Sequence, residues 1–192
     1  MAQTTARAIA DYGPVTTWEI GTHGNVEDAK TFVNKYMIPY MNVAKKPMSL
    51  AEGNWNSELY FLNGSPVDPD SNDGVNHQVR FYLSDGTSIS CYVQSQSSDW
   101  KRLSILIDIN GDKKPNKFGR DVFMFEYLIY VNPNHIYYPF VGKIVPDFGN
   151  GISSRSALLS NSAWNCHKNQ QGTPCAAVIV RDGWRIADDY PW

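Results

Sequence analysis

A chain of 192 residues is long enough to bury a full core, and 42% hydrophobic against 19% charged residues excludes a disordered chain. A formal net charge of -2 supplies no cationic surface for nucleic acid or for anionic lipid. No apolar run reaches transmembrane length, and the start MAQTTARAIADYG has no signal-peptide core. Read literally this is a cytoplasmic protein; a targeting segment upstream of Met1 is the alternative.

In chain order, residues 2–10 are Ala-rich and predict a helix stopped by Gly13-Pro14, which cannot continue one. Asn25 is a predicted N-cap, with Glu27 and Asp28 in the first turn where the helix dipole favours them. Val26, Ala29, Val33, Tyr36 and Met37 then fall on one helical stripe, ended by Pro39. The spacing predicts an amphipathic helix over 26–38, packed against a sheet.

From about residue 58 the period falls to two. HQVRFYL (77–83) and TSISCYV (87–93) alternate around Ser84-Asp85-Gly86. A two-residue turn would pair Leu83 with Ser88 and mix the faces. A three-residue loop with Gly86 left-handed pairs Leu83 with Thr87, Phe81 with Ile89 and Val79 with Cys91, which keeps one apolar face. Residues 102–109 and 121–131 predict two more strands, the second almost wholly apolar and so central. Residues 132–150 read as irregular, 153–164 as a short helix, and 176–180 with 184–186 as a last strand and turn. Helices followed by an antiparallel meander make an α+β domain over 1–192, helical over about 2–45 and β-rich over about 58–192.

Signatures of chemistry are few. There is no nucleophile elbow, zinc-helix motif, Walker loop or dinucleotide fingerprint, and His23, His77, His135 and His167 are scattered, so no catalytic residue is assigned. Cys166 and Cys175 lie nine residues apart across a polar loop. That spacing suits a bridge worth roughly 2–3 kcal/mol, and an oxidising compartment with it; two free thiols are the alternative. Cys91 falls on the core side of the hairpin, where a thiol acts as a small hydrophobe.

The loop 108–121 places Asp108, Asn110 and Asp112 at alternate positions, with Asn116 and Asp121 further on, as oxygen ligands of calcium are spaced. It departs from an EF-hand, with Gly111 too early and no closing Glu, and reads equally as a turn loop capped by Asp108. The stretch 68–74 is acidic as well and reads as a solvated loop. Six Trp and eleven Tyr fit a β-rich core, or, through Tyr36, Tyr40, Tyr137, Tyr138 and Trp55, an aromatic platform for sugar.

Two segments go beyond pattern. DINGDKKPNKFGRDVFMF (108–125) and CAAVIVRDGWRIADDYPW (175–192) resemble segments of bacterial prepilin-type proteins, the type IV pilin and type II secretion pseudopilin superfamily. NKYMIPYMNVAK (34–45) and the Ala-rich start resemble the region after the membrane half of the long N-terminal helix in such proteins. The resemblance implies a pilin-like fold: an N-terminal helix packed on an antiparallel β-meander, with a C-terminal region closed by a disulfide between Cys166 and Cys175. It implies calcium, where a cofactor is present, at Asp108, Asn110, Asp112, Asn116 and Asp121.

As function, the resemblance implies a non-catalytic filament subunit, major or minor, that polymerises with other pilin subunits through an apolar N-terminal helix. Membrane contact would be through that helix only. The location would be extracytoplasmic: anchored in the inner membrane before assembly, then in a periplasmic or cell-surface filament. The departure is the start Met1-Ala2-Gln3, since neither the prepilin leader nor the apolar helix has a counterpart in the sequence. Two other classes remain: a secreted carbohydrate-binding or adhesive module with a structural calcium, marked by exposed aromatics, and a secreted hydrolase, marked by two carboxylates facing each other in a pocket.

Overall fold

The computed structural model describes residues 2–53, 58–71, 74–96, 99–135, 138–147 and 153–191. Helix α1 (Ala2–Tyr12) buries Thr4, Thr5 and Ala8, and its end is marked by Gly13 with φ +79°. Helix α2 (Val26–Tyr36) starts where Asn25 Oδ1 accepts from the backbone N–H groups of Glu27 and Asp28. It buries Ala29, Phe32, Val33 and Tyr36, an i, i+3, i+4, i+7 stripe. It stops slightly before the expected end, and Pro39 sits in a separate single turn, Ile38–Tyr40.

Six antiparallel strands form one sheet in the order β1-β2-β3-β4-β5-β6, so every strand pairs with its neighbour in sequence. They are β1 (Val43–Ser49), β2 (Val79–Leu83), β3 (Ser88–Gln96), β4 (Trp100–Asp108), β5 (Val122–Val131) and β6 (Ile144–Pro146). The hairpin register is the one with a coherent apolar face: Val79 opposite Cys91, Phe81 opposite Ile89, and the Leu83 N–H donating to Thr87 O, with Gly86 at φ +92°. Alternation then sends Val79, Phe81, Ile89, Cys91, Val93, Leu103, Ile105, Tyr127 and Ile129 to one face, where they form a core with Ala8, Trp18 and the buried stripe of α2. Full burial of each large apolar side chain contributes about 1.5–3 kcal/mol. Cys91 is buried there, and burial pushes its thiol pKa up, which suits packing and not nucleophilic chemistry.

The ring of Trp18 stacks on Tyr36 at 4.2 Å and meets Tyr127 edge-on at 6.1 Å. Tyr127 Oη is buried without a hydrogen-bond partner. Tyr127→Phe is therefore expected to leave stability unchanged or raise it by up to about 1 kcal/mol, because it removes a desolvated hydroxyl and keeps the ring. Equilibrium urea unfolding checks this, and a loss above that size would mean the hydroxyl has a partner.

Three expectations need correction. The sheet begins at Val43 and not near residue 58, because β1 is an edge strand, and its Lys45, Lys46 and Pro47 hide its period. Residues 144–146, expected to be irregular, form β6, a three-residue edge held by pairing with β5. Residues 176–180, expected as a strand, belong to helix α5 (Cys175–Arg181), and 184–186 lie outside any strand. A short apolar run does not distinguish a strand from a helix buried on several sides, and here Cys175, Ala176, Ala177 and Val178 are all buried.

Candidate functional site

The loop between β4 and β5 draws its acidic residues into two separate places. Asp121 is buried, and its carboxylate accepts from Asn116 N (2.9 Å), Lys117 N (2.6 Å) and Asn110 Nδ2 (3.2 Å). Asn116 takes φ +49°, the left-handed turn that lets two successive N–H groups point at one carboxylate. Asp108 is buried nearby and accepts from Asn110 N at 3.1 Å. Its pKa is pushed up to about 7, mainly by burial, with the charge of Asp121 adding to the rise and the Asn110 N–H opposing it. Asp112 turns instead to the sheet, where it accepts from Arg80 Nη1 (3.1 Å) and Tyr82 Oη (2.8 and 2.9 Å).

The five proposed calcium ligands therefore do not converge. Asp108, Asn110, Asn116 and Asp121 share one side of the loop, Asp112 is committed elsewhere, and Asp121 is held by three donors. Among the described residues no group of three or more His, Cys, Asp or Glu is placed to hold a metal. Asn110 Oδ1 is buried in the loop without a hydrogen-bond partner, and melting curves with calcium and with excess chelator test whether a cation meets it; equal melting temperatures are expected where the loop's own hydrogen bonds suffice. A rise with calcium would assign Asp108, Asn110 and Asp121 to a cation site.

The other end of this loop meets the C-terminal region. Cys166 and Cys175 form the disulfide, buried with Leu62, Leu158, Ala177, Val178 and Tyr190. Gly119, at φ +76°, lies against it so closely that a Cβ there would sit 2.7 Å from Cys175 Sγ. Tyr190 Oη donates to Gly119 O at 2.7 Å. Arg155 of α4 (Arg155–Leu158) forks onto Asp182 (2.6 and 2.9 Å) and Asp189 (2.8 and 2.6 Å), tying the end of α5 to the tail.

The sheet face away from α1 and α2 carries a polar layer that sequence reading did not single out. The alternation that aims Leu103 and Ile105 at the core aims Arg102 and Ser104 the other way, and their β5 neighbour Glu126 shares that face. Glu126 is 2% exposed and ion-paired with Arg102 Nη1. Arg102 Nε donates to Gln94 Oε1 at 2.7 Å, and its guanidinium lies 4.4 Å from the Trp100 ring centroid. Asp147, just after β6 and 4% exposed, shares a hydrogen bond with Glu126. Its pKa is held well above the usual carboxylate range, first by burial and then by Glu126; Arg102 opposes the shift.

A cavity of about 520 Å³ opens over this layer, within the size range of small-molecule sites. Asp147, Arg102, Gln94 and Thr173 form its polar floor, and Phe61 and Trp164 stand at its sides. The signal that could have found it was Glu126 inside FMFEYLIYV, a lone acid in an apolar strand. Of the residues of the expected aromatic platform, Tyr36 is buried and Tyr40 Oη donates to Asp11 (2.6 Å), while Trp55, Tyr137 and the side chain of Tyr138 lie outside the described residues. So does part of the stretch 68–74.

A family model described as a family of unknown function (DUF6613) matches residues 1–192. No curated protein and no solved structure matches the chain.

Proposed function

The chain belongs to this family of unknown function, and we propose that it is the extracytoplasmic head of a pilin-like filament subunit, with a structural role and no active site. One observation carries the reading. The two segments that resemble prepilin-type proteins, 108–125 and 175–192, form one unit, joined by Tyr190 Oη on Gly119 O and by the contact of Gly119 with Cys175 Sγ. A resemblance spread over distant segments has more weight when those segments pack on each other. The buried disulfide beside them fits an oxidising location. The antiparallel meander, with α1 and α2 packed on one face, is compatible with the arrangement the resemblance implies.

In this role the mechanism is packing. An apolar helix upstream would form the filament core, and the head would supply lateral contacts and the outer surface. The test is to raise antibody against the head and examine material sheared from the surface of the native host by immunogold electron microscopy. Labelled thin filaments, together with about twenty apolar residues encoded upstream, are the expected result. Recovery of the protein only as free monomer, with no such segment encoded, would overturn the proposal.

A further inference from the structure

The cavity over the polar layer has the chemistry of a ligand site that neither packing nor filament assembly requires. Gln171 and Thr173 both line it; the Thr173 hydroxyl meets the Asp147 carboxyl, while Gln171 Oε1 is buried without a hydrogen-bond partner. Thr173 is only 2% exposed. Buried polar atoms are rarely left unsatisfied, so an open amide oxygen on the cavity wall marks where an external donor belongs. Beside them Gln94 and Asp147 add hydrogen-bonding groups fixed by the layer beneath.

The charge balance narrows the ligand. Among the described lining residues Arg102 is the one cation and is paired with Glu126, while Asp68 and Asp147 are acids, so the lining does not attract an anion. Asp147, hydrogen-bonded to Glu126, adds carboxyl oxygens that can accept from a hydroxyl. Amide, hydroxyl and carboxyl groups around a small cavity match the hydroxyls of a neutral polyol. Trp164, in the cavity lining, is 50% exposed and held at φ +73°, an unusual backbone for a bulky residue. An exposed indole beside a polar floor is the surface on which the C–H face of a sugar ring packs.

We propose that this cavity binds a neutral saccharide ring, with Trp164 against one face of the ring and Gln171, Thr173, Gln94 and Asp147 meeting its hydroxyls. The site lies on the sheet face opposite α1 and α2. A subunit carrying it would take a glycan as its surface ligand.

The test is a titration of the folded protein with neutral methyl hexosides and N-acetylhexosamines, and, as separate arms, with a uronic acid and a hexosamine, read by saturation-transfer NMR and tryptophan fluorescence. At least one neutral sugar is expected to saturate. Trp164→Ala and Gln171→Leu should each weaken it by about tenfold or more. Trp184→Ala, at an exposed ring remote from the cavity lining, should leave it unchanged. Melting curves of each variant show that the fold is retained. Binding of the uronic acid or the hexosamine only would overturn the neutral-sugar assignment. No binding in any arm, or binding indifferent to both cavity variants, would overturn the site.

Discussion

Arg102→Met is expected to destabilise the fold by about 3–5 kcal/mol, the range seen when one member of a buried ion pair is removed. The change leaves Glu126, 2% exposed, with Asp147 and no cation. It also removes the donor to Gln94 Oε1 and the packing on Trp100. Replacing both partners, as Arg102→Met with Glu126→Leu, should recover most of the loss, since the uncompensated charge is then gone. Urea unfolding of the two single variants and the double variant measures the coupling. A loss below about 1 kcal/mol in Arg102→Met would mean that water reaches the pair.

The same cluster sets a direction for pH. Asp147 has its folded pKa raised above the unfolded value of about 3.9, so the folded state binds the extra proton. The stability this contributes is complete below about pH 4 and is lost as pH rises towards and through the folded pKa. Asp147→Asn keeps a neutral group of the same shape and has no proton to lose. Its stability should therefore decline less than that of the wild type between mildly acidic and alkaline pH, so that the gap between them shifts in the variant's favour. Parallel slopes for the two proteins would place the titration elsewhere.

What could be read in the sequence followed distance along the chain. Asn25, the α2 stripe and the 84–86 hairpin are local patterns in which a cap, a period and a left-handed glycine each determine their own neighbourhood. β1 and β6 are edges defined by the strands they join: Lys45-Lys46-Pro47 and a three-residue run mean little without Tyr82 and Phe125 to pair with. The β-branched run in α5 points to a strand, yet Ala176 and Ala177 favour helix and the buried bridge at Cys175 fixes its first turn. For the site, the loop 108–121 was visible as a cluster of oxygens. That Asp112 would leave it for Arg80, 32 residues earlier, was not. Arg102, Glu126 and Asp147 come from three strand regions and meet only because the register aligns them.

The second large effect falls on the C-terminal unit. Removing the bridge as Cys166→Ala with Cys175→Ala should lower stability by roughly 2–3 kcal/mol through loop entropy, with a further loss because both sulfurs are fully buried. Gly119→Ala should be severe for a different reason: φ is +76°, and the new methyl would lie 2.7 Å from Cys175 Sγ. If the loop 108–121 and the tail act as one unit, the damage will not stay local. Hydrogen exchange should then rise together at Asn116 and Lys117, whose N–H groups bond Asp121, and across α5. Truncation from residue 175 onward should produce the same pattern and a lower melting temperature. The outcome that would count against the unit is increased exchange confined to residues 175–191 in the truncation and Gly119→Ala series, with the Asp121 hydrogen bonds protected as in the wild type. The tail would then be a separately folding attachment, and the contact between residues 108–125 and 175–191 would no longer support the proposed head.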